Sequence, residues 1–319
     1  MKKSMKLPLR YHCWTKTKGI KGELIGDEDF IVSENIEKKF LKKFQRTKHG
    51  IKKIKGKYFL CFLKKKDKTT NKAVEIICKK LGIDKTEIGY AGLKDKHAIT
   101  KQYLTIPKEK FKPINEENLS LEKIKQTNKK IHIGDLISND FKITLHNCEN
   151  KENLKKILKE LKQKGMPNYF GPQRFGLNKD NHIKGKRILK NRMKINENKE
   201  MIKFYIHAYQ SYLFNQVLNK YIEKNQKPDF KEVSLVGSGS RINNDSVKEI
   251  LEDEGIKTKD FELEQFRNIK CIGSKRQLFV KVKNIEYKEN EKIELNFTLP
   301  KGSYATILLR EVNKKEKFI

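Results

Sequence analysis

The stretch NDFKITLHNCENKENLKKILKELKQKG, residues 139–165, carries two structural periods side by side. In its first part Phe141, Ile143 and Leu145 alternate with polar residues, the period of two that makes a half-buried strand. In its second part Leu154, Ile157, Leu158 and Leu161 fall at helical spacing, and Gly165 supplies a stop. A strand running straight into an amphipathic helix indicates a mixed α/β chain, and both periods recur on either side.

Upstream, residues 20–35 alternate around DFIVSE, and YFLCFL at 58–63 is a short apolar run, so both read as strands. TTNKAVEIICKKLGI, 69–83, opens on hydroxyl caps, places Ala73, Val74, Ile77 and Leu81 on one face and stops at Gly82, which predicts a helix. Ile88 to Tyr90 and Gln102 to Ile106 read as short strands flanking the loop GLKDKHAIT, 92–100. Downstream, PNYFGPQRFG follows the 153–165 helix directly. From about 194 the chain changes character, with a long aromatic helix at 201–221, the glycine-rich LVGSGS and an acidic helix near 245–255. RQLFVKV (276–282) and IELNFTL (293–299) return to strand alternation, and Ser303 is placed to cap a final helix. The division this suggests is a catalytic domain of mixed sheet and helices from residues 1–193 and 276–319, with 194–275 inserted as a separate lobe.

A formal net charge of +33 over 319 residues attracts polyanions, and nucleic acid is the natural partner. A Lys-rich surface also suits a biased genome or a heat-adapted protein, so charge alone does not establish binding. With 36% hydrophobic residues, 17 Phe and 11 Tyr, the chain can bury a real core. Its five cysteines lie far apart with no C-x-x-C pair and read as reduced, buried thiols. No stretch approaches the roughly 18 apolar residues a membrane span needs, so the expectation is a soluble, cytoplasmic protein without a membrane partner. The histidines and cysteines show no metal-ligand spacing, and LVGSGSRI lacks the spacing of a nucleotide loop and reads as a turn. No cofactor is implied. A methyltransferase would need a glycine-rich cofactor loop after an early strand, and none is present.

In GLKDKHAIT the carboxylate of Asp95 lies between Lys94 and Lys96, and nearby positive charge favours its ionised form. Such a group can act as a nucleophile or stabilise a cationic sugar. In isolation, however, Lys-Asp-Lys in a Lys-rich chain reads as an exposed turn. By the same reasoning Phe30 in an alternating strand reads as core, Asn168 as a turn cap, and Arg174 equally as a phosphate contact or a structural ion pair.

The pattern formed by Gly92, Lys94, Asp95, Ala98, Thr100 and Gln102, followed by PNYFGPQRFG and KGSYATILLRE, closely resembles the TruD family of pseudouridine synthases. EDFIVSE at 28–34, NDF at 139–141 and SYLFN at 211–215 are similar to further motifs of that family, so the resemblance spans nearly the whole chain. It implies an α+β fold with a largely antiparallel sheet plus an inserted, mainly helical lobe. It also implies isomerisation of uridine to pseudouridine, with tRNA as the usual substrate and uridine 13 as the first candidate, and no obligatory protein partner. Carried over by residue, it makes Asp95 the catalytic aspartate, with Phe30, Asn168, Phe170 and Tyr304 lining the substrate site. Lys94 and Arg174 join them as candidate substrate-binding cations. The chain departs from the family pattern ahead of EDF: Leu24 or Ile25 stands where a Lys is usual and Asp27 where a Pro is. The basic partner of Asp95 is therefore Lys21, through a shifted strand, or Lys94. The competing class is a non-catalytic RNA-binding protein that keeps the fold and the charge.

Overall fold

The computed structural model describes residues 9–42, 44–47, 50–53, 55–94, 96, 98–191, 198–225, 227–263, 269 and 271–314. The elements run β1 (Phe30–Ile36), α1 (Lys38–Leu41), β2 (Phe44–Thr47), β3 (Gly50–Lys53), β4 (Tyr58–Lys65), α2 (Thr70–Leu81), β5 (Gly89–Tyr90), β6 (Ile99–Pro107), β7 (Ile114–Glu116), β8 (Leu119–Thr127) and β9 (Leu136–Leu145). They continue with α3 (Glu152–Lys164), β10 (Met166–Pro167), α4 (Asn181–Leu189), α5 (Lys199–Lys224), β11 (Glu232–Leu235), α6 (Asp245–Glu254), β12 (Ser274–Gln277), β13 (Phe279–Val280), β14 (Lys283–Glu289), β15 (Ile293–Pro300) and α7 (Ala305–Asn313). None of the described helices is long and apolar enough to cross a membrane. The mixed architecture with a largely antiparallel sheet is the one expected from sequence.

Contacts group the chain into two units. The sheet unit takes residues 22–149 and 283–302; the helical unit takes the described parts of 1–21, 150–282 and 303–319. In the sheet unit, nine strands form one sheet in the order β14-β15-β9-β1-β6-β4-β8-β7, with β5 paired to β6. The β1–β6 pair is parallel, with Val32 opposite Thr100, and the other pairings in this sheet are antiparallel. β9 lies between β1 and β15, where Phe141 stacks on Phe297 (ring centroids 5.2 Å apart) and meets the edge of Phe30 at 6.0 Å. α2 closes one core of this unit by setting Ala73, Val74 and Ile77 against Leu63, Leu104 and Leu121. Each fully buried Val, Leu or Ile side chain there contributes about 1.5–3 kcal/mol. The helix is delimited as its sequence predicts: Thr69 Oγ1 accepts from Lys72 N, and Gly82 ends it in the left-handed conformation at φ 62°.

The alternation read over residues 20–35 yields a strand only from Phe30 onward. The carboxylate of Asp29 accepts hydrogen bonds from Ile25 N (2.9 Å) and Gly26 N (3.1 Å), which folds the chain into a turn just ahead of β1. His146 holds the other oxygen of Asp29 at 2.9 Å.

In the helical unit α5 is buried along most of its length, and its polar side chains explain why contacts do not divide the chain at 193/194 and 275/276. Asn219 Oδ1 accepts from the Tyr169 hydroxyl (2.6 Å), Asn215 bonds the Phe170 backbone, and Ser211 accepts from Arg174, so the NYFGPQR stretch groups with α5. Two short strand pairs, β10–β13 and β11–β12, bring residues 274–280 alongside this stretch. The final helix is capped one residue later than expected: Tyr304 is its N-cap residue, and Ser303 donates its hydroxyl to Asn168 Oδ1 at 3.0 Å instead. Cys61 and Cys271 are buried as expected, whereas Cys13, Cys78 and Cys148 are half-buried.

The segment after Arg10 is fastened to α7 by one buried carboxylate. Glu311 accepts from Trp14 N (2.7 Å), Thr15 N (2.9 Å) and Thr15 Oγ1 (2.7 Å). Replacing Glu311 by Ala leaves those donors without an acceptor, and the expected loss is about 3 kcal/mol. Urea unfolding of Glu311→Ala beside Glu311→Gln, which keeps an acceptor oxygen, measures it; a loss below about 1 kcal/mol contradicts this role.

Candidate active site

In the sheet unit the GLKDKHAIT loop is held by a buried carboxylate. Glu34, on β1, has a fully buried side chain, and its Oε1 lies 2.8 Å from Lys94 Nζ. The same oxygen accepts from Gln102 Nε2 (3.1 Å), while Oε2 accepts from Tyr103 N (3.4 Å). Gln102 also donates to Gly92 O (3.1 Å), and Lys94 Nζ donates to Asn139 Oδ1 (2.8 Å) on β9. Thr70, the first residue of α2, completes the network. Its hydroxyl donates to Gln102 Oε1 (2.8 Å) and accepts from Lys94 N (2.8 Å), while its own N–H donates to Lys94 O (3.4 Å). Residues 92–94 are thus fixed from β1, β6, β9 and α2 together.

Asp95 and His97 lie outside the described residues; the chain on either side of Asp95 is described at Lys94 and Lys96. Lys94 is committed to Glu34 and Asn139, and Lys96 pairs with Asp67 at 3.3 Å. Lys21 adopts a left-handed backbone at φ 49° and belongs to the helical unit. Phe30 is half-buried and turns its ring toward Phe141, so part of that ring remains accessible.

The helical unit brings Asn168, Phe170, Arg174 and Tyr304 together. The Phe170 backbone is held at both polar atoms by one amide: its N–H donates to Asn215 Oδ1 (2.9 Å), and its carbonyl accepts from Asn215 Nδ2 (3.0 Å). The side-chain amide thereby replaces a neighbouring strand. The ring of Phe170 meets Tyr304 at 6.1 Å and Phe214 at 5.7 Å, both edge-on. Gly171 permits this approach, because a Cβ there would lie 2.8 Å from Tyr304 Cδ1 and 2.9 Å from Thr306 Oγ1. Arg276 covers the ring from β12, its guanidinium carbon 3.9 Å from the Phe170 centroid. It also donates to Asn168 O (2.9 Å) and Asn168 Oδ1 (2.8 Å), while the Asn168 amide nitrogen donates to Gln277 O (3.0 Å). Asn168 is therefore locked by a guanidinium fork and is more than a turn cap. Burial lowers the Arg276 pKa to about 10, so the group still carries its charge at neutral pH.

Arg174 forms no ion pair with a carboxylate among the described residues. Its Nε donates to Ser211 Oγ (3.1 Å), and its guanidinium flanks Phe170 at 5.9 Å and Phe204 at 5.8 Å. Of the two readings open for Arg174 in the sequence, the structural ion pair is not seen among the described residues.

Three residues that organise this chemistry are not evident from motif letters alone. Glu34 ends EDFIVSE, yet only the fold shows it buried. Arg276 alternates with buried Leu278 and Val280 in RQLFVKV, and a cation at an inward position of a strand pattern is the signal that could have exposed it. Asn215 sits among the buried apolar residues of α5, where a polar side chain needs a partner.

The fold as a whole matches that of a solved structure from Methanosarcina mazei assigned as a tRNA pseudouridine synthase D, at a TM-score of 0.70 and 24% identity over 96% of each chain. Among sequences, the tRNA pseudouridine synthase D of Sulfurimonas denitrificans is 34% identical over 82% of this chain and 89% of its own. That of Helicobacter acinonychis is 31% identical over 82% of this chain and 88% of its own. The family model for TruD, tRNA pseudouridine synthase D, matches residues 9–197 and 230–312. This chain belongs to the TruD family.

Removing one member of the Glu34–Lys94 pair leaves the other charge buried, at a cost of about 3–5 kcal/mol. We expect Glu34→Ala to lose that much stability and the double variant Glu34→Met/Lys94→Met to recover part of it. Equilibrium unfolding of the two single variants and the double one checks this, and strictly additive losses would mean that the pair is not coupled.

Proposed function

We propose that this chain isomerises uridine to pseudouridine in tRNA, with uridine 13 as the first target and Asp95 as the catalytic carboxylate. The observation that carries the reading is the buried network of Glu34, Lys94, Gln102 and Thr70, which fixes the residues immediately ahead of Asp95 in a chain of this family. Anchoring residues 92–94 from four elements lowers the cost of presenting the residue that follows them to a sugar.

The uridine leaves its stack at a cost of a few kcal/mol, and aromatic faces recover about 1–3 kcal/mol per base. Phe170, Tyr304 and Phe30 are the residues we assign to that contact. Asn168, whose amide oxygen is taken by Arg276 and Ser303, brings to the uracil edge the second N–H of its amide nitrogen, Lys94 shapes the loop, and Arg174 provides positive charge for the RNA backbone. The N1–C1′ bond breaks as Asp95 adds at the sugar or assists a glycal-like intermediate. The uracil then turns and C5 bonds to C1′ as the Asp95–C1′ bond breaks or, on the glycal route, as C2′ regains the proton it gave up; C5 loses its proton and N1 gains one. Atoms and electrons balance within the nucleoside, so no redox partner enters. Within this proposal 194–275 is the family's inserted domain, and the protein acts where tRNA is processed, in the cytoplasm.

Asp95→Asn should lower pseudouridine formation at least about 1,000-fold while leaving tRNA affinity within a few-fold of wild type. Nucleoside analysis and position mapping of tRNA from cells with and without the gene, complemented by either form, provide the measurement. Full turnover by Asp95→Asn overturns the assignment of Asp95. Strong, salt-dependent tRNA binding without pseudouridine from the wild-type protein favours the non-catalytic RNA-binding class.

A further inference from the structure

We propose that Arg174 is a phosphodiester-binding residue, holding one backbone phosphate of the RNA strand in the helical unit. The proposal rests on the reading above that RNA is the substrate, and it adds the chemical group that this side chain takes.

A half-buried charge without a counterion is costly, and proteins pair such charges unless a ligand supplies the partner. Arg174 is in that position. Of its N–H groups, Nε is used on Ser211, whose own hydroxyl donates onward to His207 O at 2.7 Å. No carboxylate takes the remaining fork among the described residues, although the half-buried lysines of α4 and α5 do find Asp or Glu partners: Lys184 with Asp180 at 3.4 Å, Lys186 with Glu254 at 2.6 Å and Lys220 with Glu249 at 3.1 Å.

The surroundings are cationic or neutral. Arg276 shares the Phe170 ring with Arg174, and the two guanidinium groups disfavour each other's charge. His207 is driven down to about 4 by burial, then by the charges of Arg174 and Lys203, so at neutral pH it is uncharged. A positive field in which no carboxylate pairs with Arg174 among the described residues is complementary to an anion. The planar fork matches the two free oxygens of a phosphodiester better than a point charge does. Phe170 and Phe204 flank the guanidinium, and the bond from Nε to Ser211 Oγ anchors its near end, which limits the directions the fork can take.

The test measures equilibrium binding of unmodified tRNA by full-length protein carrying Asp95→Asn, across a series of KCl concentrations. Arg174→Gln should weaken binding about tenfold and make the plot of log K against log salt shallower by about 0.7–0.9, the contribution of one phosphate contact. Arg174→Lys should lose affinity but keep the slope, because a point charge remains. Slopes identical in all three proteins overturn the proposal, since a merely structural role alters affinity through stability and leaves the salt term unchanged. Should Arg174→Gln fail to fold, tRNA carrying single neutral methylphosphonate linkages around the modified uridine serves with the Arg174-containing protein. One linkage must then reproduce the loss in affinity and slope, and Arg174→Lys must respond less to that linkage; no effect at any of them overturns the proposal. A slope change in this series together with no pseudouridine from the protein that keeps Asp95 refutes the catalytic reading alone, and activity of the Asp95-containing protein with an unchanged slope in the series refutes only this assignment.

Discussion

The carboxylate of Glu34 is the interaction on which the sheet unit depends. One fully buried anion is shared by the Lys94 ammonium, the Gln102 amide and a backbone N–H of β6. Because Lys94 also reaches Asn139 and Gln102 also reaches Gly92 and Thr70, a change at this point is felt in β1, β6, β9 and α2. Such a network specifies one arrangement, since its partners are satisfied only when all four elements are in register. The parallel β1–β6 pairing, unusual in this sheet, is what sets Glu34 beside residues 102 and 103.

The helical unit solves the same problem with different groups. Phe170 lies in irregular chain, where its backbone has no ladder to join, and the Asn215 amide provides both halves of one. Arg276 fixes the neighbouring Asn168 while its planar face lies on the Phe170 ring. In both units a residue remote in sequence holds the motif that carries chemistry: position 34 for the 92–100 loop, positions 215 and 276 for NYFG.

That remoteness explains what the sequence could and could not reveal. Local periods disclosed α2, β9 and α3, because alternation and helical spacing are written in neighbouring residues, while β4, α5 and α7 were legible from an apolar run, an aromatic run and a capping position. The turn ahead of β1 escaped because Asp29 competes for the backbone of Ile25 and Gly26, a choice that apolar alternation does not encode. β8, where Glu122, Lys123 and Ile124 are all exposed, escaped because alternation fails in its middle. The grouping of 150–193 with α5 was hidden because it depends on hydrogen bonds from Asn215, Asn219 and Ser211, in a helix whose aromatic character suggested a lobe of its own. At the site, the motif residues were legible by resemblance, whereas Arg276 and the burial of Glu34 required the fold.

The pairing of β9 with β15 has a consequence for synthesis. Leu145 lies opposite Ile293, so one edge of β9 stays unpaired until residues 293–300, about 150 positions further on, have been made. Strand edges left open invite association with other chains. The lysines along 150–165 and the polar residues alternating through β9 keep the nascent chain charged during that interval. A chain halted before residue 283 therefore has a main sheet that lacks β14 and β15.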